Sequence, residues 1–551
     1  MALQVAVDGG LRDAEASVAG LVEDRVASRI FAHDASLWGA DAAEEAAVRL
    51  GWTDVAANAE RLIPEIETLR AEFREAGVDR IVLCGMGGSS LAPAVITRWS
   101  GVELTMIDST HPDVVRRALS GDLSRTGVVV SSKSGGTIET RSHLAAFSDA
   151  FRVAGIEPSQ RIVIVTDPGS PLEEESRTAG RRVFTADPNV GGRFSALTAF
   201  GLVPAGLAGA DLRRLLADAE SVRLAVAADE AANPALRLAS AIHAGLPRRF
   251  VLAVREDPSA SWGLGRWIEQ LVAESTGKDG RGVLPIALDA DAPEFDRVSE
   301  SAVTVELSNA PQAADSDASA TTSGASEVAG GAIAVTGSLG AQLLTWEVAT
   351  AVLGRLMEID PFNQPDVESA KVAARTALDA DASSEEAAPV ELRGAAGARL
   401  LAVPADVEVE DVAALVTRLR DAAAGAGYLS LQAYLDPQGE EAEPLDRLRD
   451  RLAEVLGLPV ALGWGPSYLH STGQLHKGGP PAAVFLQLTA TGTESLPIPG
   501  ADRGFDALVA AQARGDRSVL AERGRPVFAL ACADPAATVR ALDAALSSLE
   551  S

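Results

Sequence analysis

The 551 residues are too many for one hydrophobic core and point to about two to four domains, while 47% hydrophobic against 23% charged residues is the balance of a soluble globular protein. A formal charge of −29 with no long basic run argues against a general binder of nucleic acid or anionic membrane, because a phosphate polyanion would be repelled. The start, MALQVAVDGG, lacks the positive residues and apolar run of a signal peptide, and the two cysteines, Cys84 and Cys532, lie in apolar strand-like runs. Buried thiols in a reducing cytoplasm are expected.

Residues 1–55 read as an Ala-rich helical segment with no visible chemistry. A helix at about 56–76 leads into RIVLCGMGGSSLAPAVITR, a short buried strand, a glycine turn and the start of a helix. ELTMIDS at 103–109, GVVVSSKSGGTIET at 127–140 and RIVIVTD at 161–167 repeat the pattern, each an apolar run ending in turn residues. Strands alternating with helices predict right-handed crossovers and a doubly wound parallel sheet over residues 56–228. A second such unit is expected over 229–378, from the helix NPALRLASAIHAG, the strand RRFVLAV and the amphipathic helix WGLGRWIEQLVAES. Within it, about 308–328 is too poor in apolar residues to fold alone and reads as a flexible surface insertion. The uncharged stretch Val328 to Trp346 carries four glycines plus Ser, Thr and Gln, too polar for a membrane span. The acidic DADASSEEAAP at 379–389 marks a boundary, and residues 390–551 again alternate strands (ARLLAVPA, YLSLQAYL, PVALGWG, AAVFLQLTA, RPVFALAC) with helices. The expected fold is therefore a three-layer αβα protein with two doubly wound parallel sheets and a further C-terminal α/β region.

In open α/β sheets ligands gather beyond the carboxyl ends of the strands, where backbone N–H groups and helix dipoles face an anion. GMGGSS (85–90) and SSKSGGT (131–137) both follow apolar strands and precede helices, so the two loops are candidates to cradle one phosphate. The alternative for each is a tight turn with Ser or Thr as helix N-cap. Lys133 is one of only four lysines, with Lys278, Lys371 and Lys477, against 44 arginines. A compact ammonium retained in an Arg-biased chain points to a site that would not accept a planar fork. In IEQLVAESTGKDG, Gln270 and Glu274 are four apart and share a helix face. A carboxylate near a helix C-terminus is disfavoured by the dipole, which suits a general base, although a solvated surface glutamate gives the same pattern. Arg193 in NVGGRFSALTAFG has small neighbours that let a ligand approach its guanidinium, with a structural salt bridge as the alternative. GWGPSYLHSTGQLHKGGP (463–480) packs His470, Gln474, His476 and Lys477 into one loop, with no Cys or carboxylate at metal-ligand spacing.

Taken in order, GMGGSSLAP, SSKSGGTIET, VGGRFSALTAFG, AESTGK and PFNQPDVESAK resemble the motifs of the phosphoglucose isomerase family, built from two sugar-isomerase (SIS) domains, over about residues 75–371. The 463–480 loop looks like the C-terminal loop of its divergent bacterial branch, which includes the isomerase half of transaldolase-isomerase fusions. The resemblance implies interconversion of glucose 6-phosphate and fructose 6-phosphate without metal or organic cofactor. It assigns the phosphate to Ser89, Ser132, Ser134 and Thr137, with Gly88 and Lys133 beside them. Glu274 would shuttle the proton between C1 and C2, Arg193 would stabilise the enediolate, Gln270 would orient the sugar, and Lys477 would lie near the ring oxygen. It also implies a homodimer whose site a neighbouring subunit completes. The family's ring-opening histidine is missing from GSLGAQLLTWEVAT, where Gln342 or a neighbour stands, which leaves ring opening to Lys477 with His470 or His476. Asn363 and Asp366 stand where the family more often has Asp and Gly. Two rival expectations are an isomerase that also accepts mannose 6-phosphate and a non-catalytic sugar-phosphate sensor, although no basic helix-turn-helix segment is evident. Residues 390–551 could also be an unrelated interaction module.

Overall fold

The first element is a strand, β1 (Leu3–Val7), where alanine content suggests helix. Its side chains alternate, with Leu3, Val5 and Val7 packed on the core, which is the period of a strand. The expectation of a helical segment over 1–55 is thus corrected for its start: the partner strand lies far along the chain and leaves no local trace. Helices begin at Ala14–Glu23 and Val26–Phe31. The computed structural model describes residues 3–8, 11, 14–309, 331–366, 390–395, 397–405 and 407–549, with the backbone alone over 55–60. Most of the expected insertion at 308–328, Lys371 and the acidic run at 379–389 lie outside the described residues.

After the helix Val55–Glu75 come β2 (Arg80–Gly85), β3 (Thr105–Ile107), β4 (Thr126–Ser131), β5 (Ile162–Thr166) and β6 (Arg182–Thr185). All are parallel, in the spatial order β3-β2-β4-β5-β6. Every residue of β4 and β5 is buried, as strands covered by helices on both faces must be. The order reverses between β2 and β4, and the two Gly- and Ser-rich loops leave from the carboxyl ends of those two strands.

The second sheet holds β7 (Val251–Glu256), β8 (Leu284–Ala287), β9 (Ala302–Ser308) and β10 (Ala332–Gly337) in parallel, with β1 added antiparallel beside β10. The switch point lies between β7 and β9, and the helix Leu264–Thr276 follows β7. The helix Leu339–Leu356 is buried around its whole circumference over most of its length. From Ala332 on, the uncharged stretch ending at Trp346 therefore belongs to β10 and a core helix. Among the described residues no helix is long and apolar enough to cross a membrane.

The third sheet contains β11 (Val390–Glu391), β12 (Ala398–Ala402), β13 (Tyr428–Tyr434), β14 (Val460–Trp464), β15 (Ala483–Ala490) and β16 (Val527–Cys532). Its parallel strands run β16-β15-β13-β14, with β12 antiparallel beside β16, which repeats the layout of the second sheet. An apolar seam joins these two sheets, Phe250, Val251 and Leu284 meeting Tyr428, Leu475, Phe485 and Val527. Cys84 on β2 and Cys532 on β16 are free and fully buried.

One buried ion pair fastens the third sheet to the second. Arg449 grips Glu294 with two parallel hydrogen bonds of 2.7 and 3.0 Å, and Glu294 also accepts the Val460 N–H at 3.1 Å. Both side chains are buried, so truncating Arg449 leaves the Glu294 carboxylate without its cation. Arg449→Ala should lower the unfolding free energy by about 3–5 kcal/mol in chemical denaturation. The paired change Arg449→Met with Glu294→Leu should recover only part of that loss, since the buried Val460 N–H then lacks its acceptor.

Candidate active site

Glycine backbones bring three loops together. Gly87 has φ +53, and a Cβ there would lie 2.6 Å from the His470 carbonyl oxygen and 2.7 Å from Gln270 Nε2. A Cβ on Gly88 would stand 2.0 Å from the Gly192 carbonyl oxygen. The turn after β2, the turn carrying Arg193 and the C-terminal loop thus touch at distances that no other residue type allows.

Arg193 sits in the short 3-10 turn Gly192–Phe194 with 3% of its surface exposed. Its Nε donates to Ser275 Oγ at 2.8 Å, and Nη2 donates to the carbonyl oxygens of Pro361 (2.7 Å) and Asn363 (3.0 Å). Nη1 donates to Gln364 Oε1 at 2.8 Å and lies 3.1 Å from Glu274 Oε1. All five N–H groups of the guanidinium are thereby matched. Glu274, in the last turn of Leu264–Thr276, is buried as well, and its Oε2 accepts Gln270 Nε2 at 3.0 Å. The same Gln270 nitrogen donates to the His470 carbonyl oxygen at 2.8 Å, while Gln270 Oε1 is buried with no hydrogen-bond partner among the described residues. Glu274, Gln270 and Arg193 form one buried cluster.

The turn 360–364 also encloses Lys278, whose Nζ donates to Asp360 O (2.6 Å), Asn363 O (2.8 Å) and Asn363 Oδ1 (2.8 Å). Burial, with Arg193 nearby, pushes the Lys278 ammonium down to about 7. Asn363 therefore serves as a neutral acceptor for an ammonium. Asp366 anchors the C-terminal region instead. Its backbone N–H and Oδ2 are bracketed by the Gln474 side chain at 2.9 and 2.8 Å, and Arg523 pairs with its Oδ1. Gln474 Nε2 further donates to the Gly277 carbonyl oxygen at 2.9 Å, which seats the C-terminal loop on the end of the Glu274 helix.

In the 131–137 loop, Ser132 is buried and donates to Thr137 Oγ1 at 3.1 Å, Thr137 is half-buried and Ser134 is exposed. Ser89 and Gly88 are buried in the facing loop. Neither Thr137, at the start of Ile138–Val153, nor Ser90, at the start of Leu91–Trp99, caps its helix through its side chain. The hydroxyls are not taken up by N-capping, as the tight-turn alternative requires. Lys133 Nζ is paired with Asp167 on the loop after β5.

The two histidines of the C-terminal loop differ completely. His470 Nε2 lies 3.0 Å from Glu139 Oε1, and the same oxygen accepts Gln512 Nε2 at 2.7 Å. Burial alone would raise the Glu139 pKa, but the charge and hydrogen bond of His470 outweigh it and hold the carboxyl below its ordinary range. His476 lies among Tyr428, Tyr468 and Phe485, with Nδ1 2.9 Å from the Tyr428 hydroxyl. Burial, aided by Lys477 and Arg525, pushes it down to about 3, so it is neutral. Lys477 is 2% exposed and pairs with Asp516 Oδ1 at 2.5 Å. Gln342 lies apart from this cluster, tied to the Ser308 and Gly337 carbonyl oxygens at 2.9 Å each. Among the described residues no three His, Cys, Asp or Glu side chains gather as a metal site would require. Sequence reasoning missed Glu139, Gln364, Gln512 and Asp516 as members of the constellation.

The first two sheets, each with its switch point, define an α/β protein built on two doubly wound, mostly parallel sheets, with this cluster between their loops. A solved structure of hypothetical protein TT0462 from Thermus thermophilus matches with a TM-score of 0.57 at 26% identity, over 68% of this chain and 100% of its own. A glucose-6-phosphate isomerase from Chlamydia trachomatis D/UW-3/Cx shares the fold, with a TM-score of 0.53 at 19% identity over 69% of this chain and 88% of its own. In sequence, the chain resembles glucose-6-phosphate isomerases. It is 39% identical over 208 residues to that of Synechococcus sp. (strain JA-3-3Ab), covering 35% of this chain and 39% of the relative. Against that of Thermus thermophilus it is 35% identical over 244 residues, covering 42% and 56%. The chain thus spans between 39% and 56% of the length of these two curated relatives. No protein-family model matches it.

Proposed function

We propose that this protein is a glucose-6-phosphate isomerase that interconverts glucose 6-phosphate and fructose 6-phosphate through an enediolate. The observation that carries the reading is the buried carboxylate of Glu274, 3.1 Å from the Arg193 guanidinium at the junction of the glycine loops. A proton alpha to a sugar carbonyl is weakly acidic, so its removal calls for a placed base and fixed positive charge where the negative charge develops. Ser89, Ser132, Ser134 and Thr137 are the proposed phosphate ligands, beside Gly88 and Lys133. The uncapped start of the 16-residue helix Ile138–Val153 supports this with its dipole. Holding the remote phosphate fixes the reacting carbons against Glu274.

Ring opening moves a proton off the C1 hydroxyl, breaks the C1–O5 bond and adds a proton to O5. Lys477 and His470 are the proposed groups, His470 being favoured over the neutral, enclosed His476 by its bond to Glu139. Glu274 then takes the C2 proton as the electrons pass through C1 onto O1 to give the enediolate, the O2 proton moves to O1, and Glu274 returns its proton at C1 as the C2 carbonyl forms. When Glu274 is protonated its hold on Arg193 Nη1 weakens, and that N–H turns to the enediolate oxygen. Gln270 orients the sugar, and its unpartnered Oε1 supports a role in accepting a substrate hydroxyl. A cytoplasmic homodimer belongs to the same reading, although the His470 carbonyl meets Gln270 from the same chain as Glu274.

The test is to incubate purified protein with glucose 6-phosphate in deuterated buffer and follow the appearance of fructose 6-phosphate and label by NMR. Turnover with label at C1 or C2 is expected. Binding without turnover would instead favour a sugar-phosphate sensor. Glucose and mannose 6-phosphates share one enediolate, so running mannose 6-phosphate in parallel decides whether reprotonation at C2 is confined to one face.

A further inference from the structure

The helix Phe505–Glu522 belongs to none of the motifs that carry the resemblance, yet two of its buried polar side chains, one turn apart, reach Lys477 and the Glu139 carboxylate that meets His470. Gln512 donates to Glu139 at 2.7 Å, sharing the oxygen that meets His470, and accepts Thr110 Oγ1 at 2.6 Å. Asp516 meets Lys477 through Oδ1 and accepts the Tyr468 hydroxyl through Oδ2 at 2.6 Å. The Tyr434 hydroxyl lies 3.0 Å from that of Tyr468, whose single proton goes to Asp516. Gln512 and Asp516 are 3% and 1% exposed. A carboxylate buried this deeply is costly unless a cation meets it, and an ammonium so buried needs the carboxylate equally.

We propose that this helix is the positioning element for ring opening: Asp516 holds Lys477 in place, and Gln512 holds His470 through Glu139. The inference deepens the isomerase reading and rests on it. A lysine stem has four rotatable bonds, so a proton donor on it is useful only when an external contact fixes the head. Asp516, itself held by the Tyr468 hydroxyl, supplies that contact. Glu139 alone leaves the His470 ring free to turn about one bond, and Gln512, itself fixed by Thr110, settles where the carboxylate oxygen lies. Neither Gln512 nor Asp516 is assigned a part in proton abstraction at C2, so their loss should spare everything downstream of the open sugar.

Two variants of the full chain test this, Asp516→Asn and Gln512→Met, each compared on turnover of ring-closed glucose 6-phosphate and on affinity for an acyclic hydroxamate phosphate that mimics the enediolate. Loss of aim at a proton-transfer group should lower kcat on the hexose by about 10- to 100-fold, short of the full ~100-fold or more expected when the group itself is removed. KM and hydroxamate affinity should stay within about twofold, since general acid–base loss acts on the chemical step. Asp516→Glu should restore part of the rate. Equal losses of hydroxamate affinity and kcat would mean the helix is only a strut, and unchanged kcat in both variants would also overturn the proposal. If Asp516→Asn does not fold, Gln512→Met decides alone. Unchanged hexose turnover in both Lys477→Ala and His470→Ala would instead sink the ring-opening assignment beneath it, and wild type that neither turns over hexose nor binds the hydroxamate would sink the isomerase reading.

Discussion

Glu274→Gln is expected to cut turnover of glucose 6-phosphate by about 100- to 10,000-fold, the range for loss of a placed general base, with little change in KM. The substitution keeps volume and shape, and the new amide oxygen can still accept from Gln270. Its NH2, however, then faces Arg193 Nη1, a donor against a donor where the carboxylate stood 3.1 Å away. A modest fall in stability should therefore accompany the kinetic loss. Steady-state rates and solvent-deuterium exchange at C2 measure the two proton-transfer halves separately, and both should fall together. Retention of more than a tenth of wild-type exchange would remove Glu274 from the role of base.

Arg193→Lys comes second and separates charge from geometry. An ammonium has three donors and no plane, whereas the guanidinium meets Ser275, Gln364, Glu274, Pro361 and Asn363 at once. At least two buried acceptors lose their partner, at about 1–3 kcal/mol each in unfolding free energy. Removing a preorganised donor at a developing oxyanion should lower kcat by about 100- to 1,000-fold besides. Denaturant unfolding and steady-state kinetics on the same preparation distinguish the outcomes. A variant that loses stability while keeping its kcat would make Arg193 a structural salt bridge holding the 360–364 turn, the alternative that its sequence context leaves open.

The parallel sheets are legible because strands buried on both faces read as unbroken apolar runs, as in β4 and β5. β1 is not legible, since its alternation is short and its partner is β10, on the far side of two sheets' worth of chain. At the site, the sequence brings out Glu274, Gln270 and Arg193 because their motifs combine unusual residues with glycines. The same sequence cannot tell His470 from His476, six positions apart: one meets a carboxylate and the other an aromatic box, and only tertiary packing makes the difference. Lys133 illustrates the reverse case. Its rarity singles it out, but its partner Asp167 belongs to the next strand's loop and has no marker of its own. Gln512 and Asp516 carry a faint one, two polar residues four apart on a helix otherwise packed inward.

The contacts of the C-terminal region also order events during synthesis. Glu139, Gln270, Glu294 and Asp366 are all made before the residues that satisfy them, since His470, Gln512, Arg449, Gln474 and Arg523 emerge from the ribosome later. A nascent chain with its first two sheets already folded therefore holds these groups open to water. These groups are buried only when the last third of the polypeptide docks.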